Sequence, residues 1–394
     1  MIIAVSGGMV CIKNKAYLVL STGEVFEGYS FGASGCVSGE AVFTTGMTGY
    51  LETLTDPSYY GQIVMQTFPL IGNYGVIPSD FESSEPHVSG YIARDWCTDP
   101  SNFRMQGNLN DYLKKNNIIG IYGIDTRRLT KIIREHGVLN VRIISFSGNA
   151  ADDQNAEQEK NYLSNPREKE SYCGAIAKFQ ITNAVAAVSP EREILYAASD
   201  SDKSNGKKIV LWDFGAKKNI ERELLKRGFD VVSVCAGASA EQILSLNPDG
   251  IMLSNGPGDP SENTGIINEL KILCTKNIPI FGICLGHQIL ALCQGAKTEK
   301  LKYGHRGANQ PVKDLGTGRI YITSQNHGYT VINESLGSNA DVSFINLNDQ
   351  TCEGIRYKNF PAFSVQFHPE ASAGPLDTGF LFDSFVKLVL SKEI

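Results

Sequence analysis

The sequence predicts an α/β protein with a β-rich N-terminal domain followed by a domain built on a mostly parallel sheet. Its 394 residues exceed the length at which one hydrophobic core usually stops growing, so two domains are expected. The two parts also differ in pattern. Short apolar runs broken by glycine fill the first, and apolar strands alternate with helices in the second. We place the domains at residues 1–148 and 207–394, with a connection at 149–206.

The N-terminal part is expected to contain short strands and one clear helix. The run Ala16–Leu20 ends at Thr22-Gly23, which is typical of a strand followed by a turn. The segment Thr126–Glu135 carries apolar residues three and four positions apart and is followed by Gly137, which predicts an amphipathic helix and its end.

The connection is acidic and polar. Between Asn149 and Asn205 the chain mixes aspartate and glutamate with Asn, Gln and Ser, and it has few large apolar residues before Ile176. We expect this segment to be partly helical at most.

The C-terminal part alternates strands and helices. The predicted strands are residues 209–212, 231–234, 250–253 and 278–283, and the predicted helices are 218–227, 241–246, 265–274 and 284–293. After Gly295 strands predominate, and a last helix is expected at Phe380–Leu390. Such a pattern indicates a parallel sheet with helices on both faces, whose ligands bind beyond the carboxyl ends of the strands.

Composition excludes several classes of function. The formal net charge is −6 and no basic run is present, so we expect no nucleic-acid partner. The nine cysteines include no C-x-x-C pair, which argues against a disulfide framework and a structural metal site. The apolar start lacks the features of an export signal or a membrane span. We therefore expect a cytoplasmic protein with no membrane association and no metal.

A candidate nucleophile lies at Gly282-Ile283-Cys284-Leu285-Gly286, where an apolar strand turns into a helix. Flanking glycines permit a tight turn that holds the central side chain out, and a helix N-terminus favours the thiolate form of cysteine. The pattern alone leaves a reactive cysteine and a buried, inert one equally open.

A nucleophilic cysteine needs a base and a group that orients the base. His368 follows the predicted strand 362–367, and His368-Pro369-Glu370 places a carboxylate two residues after the imidazole. His327 is a second candidate for the base, whereas His287 is constrained by lying three residues after Cys284 on the same helix. For His368 taken alone, a plain surface turn stays open.

The glycine-rich loop Ser254–Pro260 follows the predicted strand 250–253. Its backbone N–H groups are suited to an oxyanion hole together with the N–H of Leu285. A phosphate cradle would need a Gly-Lys-Ser/Thr sequence, which is absent, and an ordinary turn stays open.

These three segments, in this order, resemble the class I (triad) glutamine amidotransferases. From about Lys15 onward, the chain resembles more closely the small, glutamine-hydrolysing chains of carbamoyl phosphate synthetase. The segments that carry this resemblance are Thr45–Tyr50, Leu54–Tyr59, Gly72–Gly75, Ile124–Thr130, Asp213–Lys217, Gln325–Gly328 and His368–Ser372.

The resemblance implies a glutaminase in which Cys284 attacks glutamine and forms a thioester, His368 moves protons and Glu370 orients His368. It implies an oxyanion hole made by the N–H groups of Gly256 and Leu285. The residues implied to bind L-glutamine are Gly46, Gly256, Gly258, Leu285, Gln288, Asn326, Gly328 and Tyr329.

The resemblance also implies a partner, the large synthetase chain, in a heterodimer. That chain would use ATP and Mg²⁺ to convert bicarbonate and the released ammonia to carbamoyl phosphate for arginine and pyrimidine biosynthesis, and the present chain would need no cofactor. Three alternatives are kept. They are an amidotransferase serving anthranilate or GMP synthesis, a stand-alone cysteine hydrolase, and a non-catalytic interaction subunit.

Overall fold

The computed structural model of the protein describes residues 3–5, 8–10, 13–197 and 204–391. The chain divides into two compact units. The first comprises the residues up to Leu54 together with Gly61–Asp80 and Val88–Ile181. The second comprises Thr55–Tyr60, Phe81–His87 and the chain from Thr182 onward. Two short segments from the N-terminal part of the sequence thus belong to the second unit.

The first unit is rich in strands. Its strands are β1 Ile3–Val5, β2 Gly8–Val10, β3 Lys15–Leu20, β4 Val25–Gly32, β5 Gly35–Thr44, β6 Gln62–Gln66, β7 Leu70–Ile71, β8 Gly90–Ala93, β9 Asp95–Trp96, β10 Ile119–Tyr122 and β11 Leu139–Ser145. Its helices are α1 Tyr50–Thr55, which ends at the boundary of the unit, α2 Leu109–Lys115, α3 Thr126–His136, α4 Gln154–Tyr162 and α5 Pro166–Ala177, with a 3₁₀ turn at Pro78–Asp80.

Seven of these strands close into a barrel in the order β10-β4-β3-β11-β5-β6-β8. Strand β10 pairs antiparallel with β4 and parallel with β8, which completes the ring. Side chains such as Leu18, Ile63, Ile121 and Ile143 fill the interior and are inaccessible to solvent. The prediction of a β-rich N-terminal part is confirmed.

The predicted amphipathic helix is α3. Asp125 caps it by accepting a 2.9 Å hydrogen bond from the backbone N–H of Arg128. The apolar residues Leu129, Ile132 and Ile133 are buried in the barrel core. Gly137 follows with φ 93°, a conformation that glycine adopts without strain and that ends the helix.

The acidic connection contains helices α4 and α5, and both pack in the first unit. Ala156 of α4 and Ile176 of α5 lie in one apolar cluster with Val19 and Ile144 of the barrel. The Arg142 side chain of β11 forms an ion pair with Glu159 of α4. Residues 198–203 of the predicted connection lie outside the described residues.

The second unit is built on one large sheet. Its strands are β12 Ile194–Tyr196, β13 Lys208–Asp213, β14 Asp230–Cys235, β15 Gly250–Leu253, β16 Ile280–Ile283, β17 Thr298–Asp314, β18 Ile320–Val331, β19 Ala340–Asn346, β20 Cys352–Tyr357 and β21 Ala362–Val365. Its helices are α6 Ala184–Val188, α7 Lys218–Lys226, α8 Ala240–Ser245, α9 Thr264–Cys274, α10 Leu285–Cys293 and α11 Phe380–Ser391. Short 3₁₀ turns occur at Pro57–Tyr59, Pro260–Glu262 and Asn333–Ser335.

The sheet has ten strands in the order β12-β14-β13-β15-β16-β21-β20-β19-β17-β18. The strands β14, β13, β15, β16 and β21 run parallel, and antiparallel strands extend the sheet on both sides. The predicted fold class, a β-rich domain followed by a mostly parallel α/β domain, is confirmed.

Helices cover both faces of this sheet. Alternate residues of β13 enter different cores, because successive strand side chains point to opposite faces. Val210 and Trp212 pack with residues of α8, α9 and α10. Ile209 and Leu211 pack with residues of α7 and α11. No helix in the described part of the chain has the length and apolar character needed to cross a membrane.

Candidate active site

Cys284 lies at the point where β16 turns into α10, the helix that begins at Leu285. Its φ of 53° and ψ of −102° are unusual for a residue with a side chain, and strain of this kind is often found at catalytic positions. The backbone N–H of Cys284 donates a 2.9 Å hydrogen bond to the carbonyl of Val365 in β21. This bond holds the turn against the neighbouring parallel strand, and the side chain is buried.

The two glycines that flank the turn lie so close to neighbouring backbone atoms that a larger residue would clash. A Cβ atom on Gly286 would lie 2.4 Å from the carbonyl oxygen of Leu253. A Cβ atom on Gly282 would lie 2.9 Å from the backbone of Gly286. The left-handed backbone falls on Cys284 itself, while the glycines let three backbone segments meet around it.

His368 and Glu370 form a buried hydrogen-bonded pair shortly after β21. The Nδ1 atom of His368 lies 2.6 Å from Oε1 of Glu370. Both side chains are almost inaccessible to solvent. Since a carboxylate accepts hydrogen bonds only, Nδ1 carries the proton, and Nε2 makes no hydrogen bond to any of the described residues. This nitrogen is therefore the one available for chemistry.

A buried lysine lies beside this pair. The Nζ atom of Lys217 is 3.2 Å from Nδ1 of His368, 3.5 Å from Oε1 of Glu370 and 3.4 Å from Oδ2 of Asp56. Because an ammonium group has no acceptor and Nδ1 donates to Glu370, the lysine interacts with the imidazole as a nearby charge. Its partners are the two carboxylates.

The charges around His368 control its protonation. Burial and the Lys217 cation lower the pKa of His368, but Glu370 and Cys284 outweigh them and raise it to about 10. Burial alone would raise the pKa of Glu370, yet His368 and Lys217 hold it below the usual value. At neutral pH the pair is thus an imidazolium and a carboxylate.

The glycine-rich loop after β15 is anchored by its own polar side chains. The Ser254 hydroxyl accepts a 2.8 Å hydrogen bond from the N–H of Phe214. Asn255 accepts one of 3.0 Å from the N–H of Lys217 and donates to Ser58 and to the carbonyl of Gly215. The loop thus holds both the buried lysine and Gly256, whose added Cβ would collide with the Phe214 carbonyl at 2.4 Å.

The two predicted oxyanion donors lie on this loop and on α10. Leu285 is the first residue of α10, so no carbonyl of its own helix accepts its N–H. Gly256 packs so closely on Leu285 that an added Cβ would lie 2.7 Å from the leucine side chain. Gly258 has φ 87°, which lets the loop turn away beyond Gly256.

The remaining predicted glutamine-binding residues of the second unit lie on α10 and β18. Gln288 donates 2.8 Å hydrogen bonds to the carbonyl of Tyr329 and to Gln366, so its amide joins the helix to the strand. The carbonyl of Asn326 lies 3.8 Å from Sγ of Cys284. Gly328 and Tyr329 are half-buried on the same strand. Gly46 belongs to the first unit, in the loop after β5, and its predicted contact with glutamine stays a prediction.

The other candidate histidines have different surroundings. His287 lies 2.9 Å from the Ser364 hydroxyl, and burial lowers its pKa to about 3. His327 donates from Nδ1 to the carbonyl of Tyr329 at 2.8 Å, and burial lowers its pKa as well. Neither is hydrogen-bonded to a carboxylate in the way His368 is.

One group of buried residues has the composition of a metal site. Ligand atoms of His305, His327 and Glu353 lie within 4.8 Å of one another. Some of these atoms have protein partners, since His305 Nε2 is 2.7 Å from Asp349 and Glu353 accepts a 2.9 Å hydrogen bond from Gln325. His305 Nδ1 lies 3.5 Å from Glu353 and makes no hydrogen bond among the described residues. Burial would lower the pKa of His305, but Asp349 and Glu353 raise it to about 9.

The sequence patterns predict no role for Asp56, Lys217 or Asn255. Asp56 and Lys217 lie within segments that carry the family resemblance, and Asn255 lies in the glycine-rich loop. A charged residue inside an otherwise apolar and glycine-rich segment such as Asp213–Lys217 was the available signal.

Comparison with known proteins identifies the family of the chain. Residues 210–388 match the family "Glutamine amidotransferase class-I", and residues 18–143 match "Carbamoyl-phosphate synthase small chain, CPSase domain". Curated carbamoyl phosphate synthase small chains from Bacillus cereus and Clostridium perfringens are each 48% identical to the chain over 95% of its length and over 96% and 100% of theirs. The solved structure of a glutamine amidotransferase from Thermotoga maritima covers 48% of this chain and 86% of its own, with 18% identity and a TM-score of 0.35.

The second unit is thus a class I glutamine amidotransferase domain, with Cys284 at the strand-to-helix turn after β16. The match of residues 18–143 and the 48% identity over 95% of the chain define the family more narrowly. The chain belongs to the carbamoyl phosphate synthase small chain family.

Proposed function

We propose that this protein is the glutaminase subunit of a carbamoyl phosphate synthetase, with Cys284, His368 and Glu370 as its catalytic residues. The observation that carries the proposal is the strained Cys284 at the start of α10, in the same buried site as the hydrogen-bonded His368–Glu370 pair. Family membership adds the glutamine substrate. The remaining steps follow from the chemistry of these groups.

In the first half-reaction the Cys284 thiolate attacks the amide carbon of glutamine and forms a carbon–sulfur bond. The carbonyl oxygen becomes an oxyanion, which the N–H groups of Gly256 and Leu285 stabilise. His368 is protonated at neutral pH because its pKa is raised to about 10, so it supplies the proton that the departing nitrogen needs. Ammonia leaves, and a glutamyl thioester remains on Cys284.

In the second half-reaction water resolves the thioester. His368, which has given up its proton, accepts one from the attacking water, and the carbon–sulfur bond breaks to release glutamate and restore the thiolate. Glu370 keeps the imidazole in one orientation throughout, because its 2.6 Å hydrogen bond fixes Nδ1 as the donor. Lys217 balances the negative charge of Glu370 and Asp56 in this buried site.

The substrate-binding residues suit an amino acid with an amide side chain. Both amide hydrogens of Gln288 are directed to Tyr329 and Gln366, so its carbonyl oxygen is the group that would meet the ammonium of glutamine. We assign Gly46, Gly258, Asn326, Gly328 and Tyr329 to glutamine binding on the family resemblance.

Released ammonia would pass to a large synthetase chain that uses ATP, Mg²⁺ and bicarbonate to make carbamoyl phosphate. The product would serve arginine and pyrimidine biosynthesis. This part of the proposal rests on membership of the small chain family.

The test combines the purified chain with the large synthetase chain of the same organism, ATP, Mg²⁺, bicarbonate and glutamine labelled with ¹⁵N in its amide. We expect labelled carbamoyl phosphate by mass spectrometry, and we expect Cys284→Ser to abolish it while still assembling with the large chain. Cys235→Ser, a change at another cysteine of the second unit, is the matched control and should retain the activity.

Each result discriminates among the alternatives. Glutamate and labelled ammonia without carbamoyl phosphate would point to another acceptor. A rate of glutamate formation that does not change when the large chain, ATP and bicarbonate are added would indicate a stand-alone hydrolase. An absence of glutamate in every mixture would indicate a non-catalytic subunit. Full activity in Cys284→Ser would show that the nucleophile is assigned wrongly.

A further inference from the structure

Two cysteines outside the proposed active site lie in contact. Cys274 is the last residue of α9 and Cys293 is the last residue of α10, and their Sγ atoms are 3.9 Å apart. Cys274 is half-buried and Cys293 is buried. Neither cysteine is in a disulfide, so both sulfurs are free thiols.

The two sulfurs have unequal surroundings. Cys293 Sγ is in contact with the Cys274 thiol and lies 3.6 Å from the side-chain amide nitrogen of Gln294. The contact with Cys274 lowers the pKa of Cys293, Gln294 and Lys271 add to this effect, and burial opposes it. The same contact, together with burial, raises the pKa of Cys274. Cys293 is thus the more readily ionised sulfur of the two, and Cys274 is the more exposed one.

Forming the bond requires the two sulfurs to move toward each other. A disulfide requires an S–S distance of about 2.05 Å, so the sulfurs must come closer by roughly 2 Å. Each cysteine closes its helix, where the last turn is held by fewer backbone hydrogen bonds than the helix interior. Gly295, with φ 90°, lies two residues after Cys293, and an added Cβ there would meet no atom within 4 Å.

We propose that Cys274 and Cys293 are an oxidisable dithiol that a hydroperoxide converts to a disulfide joining α9 to α10. The Cys293 thiolate attacks one oxygen of the peroxide, the O–O bond breaks, and Cys293 becomes a sulfenic acid as water leaves. The Cys274 sulfur then attacks the Cys293 sulfur, forms the S–S bond and expels a second water. Two thiols lose two electrons and two protons in total, and one hydrogen peroxide becomes two waters.

The experiment uses the full chain carrying Cys284→Ser, so that the nucleophile takes no part. This protein is treated with one equivalent of hydrogen peroxide, its remaining thiols are blocked with N-ethylmaleimide, and it is digested with trypsin. Cleavage after Lys271, Lys276 and Lys297 places Cys274 and Cys293 in separate peptides, 272–276 and 277–297. With Cys284 replaced, each peptide holds one cysteine, so a linked pair identifies the bond directly.

We expect the linked peptides to form at least tenfold faster than any other cysteine pair. They should disappear in Cys274→Ser and in Cys293→Ser and persist in Cys235→Ser, a half-buried cysteine of the same unit. Unfolding the protein in urea before oxidation should abolish the preference, because the folded helices bring the thiols together. Two results would overturn the proposal. One is that N-ethylmaleimide modifies both Cys274 and Cys293 under conditions that oxidise other cysteines. The other is that the linked peptides form in equal yield with and without urea.

Discussion

Asn326 donates a 3.1 Å hydrogen bond from its side-chain amide to the carboxylate of Asp56, which lies 270 positions earlier in the chain. The same carboxylate caps the 3₁₀ turn at Pro57–Tyr59 and lies 3.4 Å from Nζ of Lys217. Burial would raise the pKa of Asp56, but Lys217 and His368 hold it below the usual value. Asp56 therefore supports the strand that carries Asn326 and the lysine beside His368.

Replacing Lys217 should destabilise the protein strongly. Lys217→Met keeps the length of the side chain but removes the cation nearest to Asp56 and leaves Glu370 with His368 alone. We expect a loss of about 3 kcal/mol in the free energy of unfolding. Urea denaturation at pH 7 measures the change. Lys226→Met is the control, since the Lys226 side chain is 73% exposed and should cost less than about 0.5 kcal/mol.

The interaction between Lys217 and Asp56 should appear in a double-mutant cycle. Once Lys217→Met has removed the cation, Asp56→Asn no longer breaks an ion pair. The losses of unfolding free energy in the two single variants should therefore add up to at least about 1 kcal/mol more than the loss in the double variant. Losses that add within about 0.3 kcal/mol would mean that the 3.4 Å contact contributes no stability.

Glu370→Gln should lower the pKa of His368. Glu370 is the strongest of the groups that raise this pKa to about 10, and a neutral amide cannot replace its charge. Titration of the His368 ring protons by NMR measures the shift, and glutaminase activity should fall by on the order of 10²-fold. A His368 pKa equal to that of the parent protein would show that the carboxylate does not set the protonation of the imidazole.

Glu82 should make stability depend on pH between about 4.5 and 7. Burial, aided by Glu370 and Asp56 and opposed by Lys217, raises the pKa of Glu82 to about 7 from an ordinary value of 4.5. Because the folded state then holds a proton that the unfolded state has lost, the Glu82 contribution falls as pH rises through this range, by about 3 kcal/mol in total.

Glu82→Gln removes this dependence and can still accept the hydrogen bond from the N–H of Asn219. The free energy of unfolding of the variant, relative to the parent, should therefore rise from pH 4.5 to pH 7. Urea denaturation at several pH values gives both curves, and parallel curves would show that Glu82 titrates normally.

Gly286→Ala tests the close packing around the turn at Cys284. The added Cβ would lie 2.4 Å from the carbonyl oxygen of Leu253. This oxygen belongs to the backbone of β15, so the clash is relieved only if β15 moves. We expect the free energy of unfolding to fall by about 2 kcal/mol or more. Gly265→Ala in α9 is the matched control. Its Cβ meets no atom within 4 Å, so alanine should be neutral or stabilise the helix by up to about 1 kcal/mol. Thermal and urea denaturation of both variants give the comparison.

Local patterns were sufficient to predict much of this fold. The spacing of apolar residues and the final glycine placed α3 within one residue of its observed end, and the glycine-flanked Cys284 lies at the expected strand-to-helix turn. Both features depend on residues close together in the sequence, where periodicity and backbone geometry act directly.

Long-range contacts were beyond the same reasoning. The parallel pairing of β8 with β10 that closes the barrel joins strands separated by helix α2, and no local signal specifies it. The approach of Asp56 to Asn326 and Lys217 arises only when distant segments fold together. Each of these buried charges is stabilised by the opposite charge of the others, and the order of residues in the sequence does not show which charges will meet.

The closed ring of seven strands in the first unit has a consequence for association with other chains. A strand at the margin of a sheet can recruit a strand from another molecule through its unpaired backbone groups, but every strand of this ring already has a neighbour on both sides. The ring must therefore recognise any molecule that docks against its wall through the side chains of its own strands. Affinity there can change by single substitutions while the ring's own hydrogen bonding stays intact.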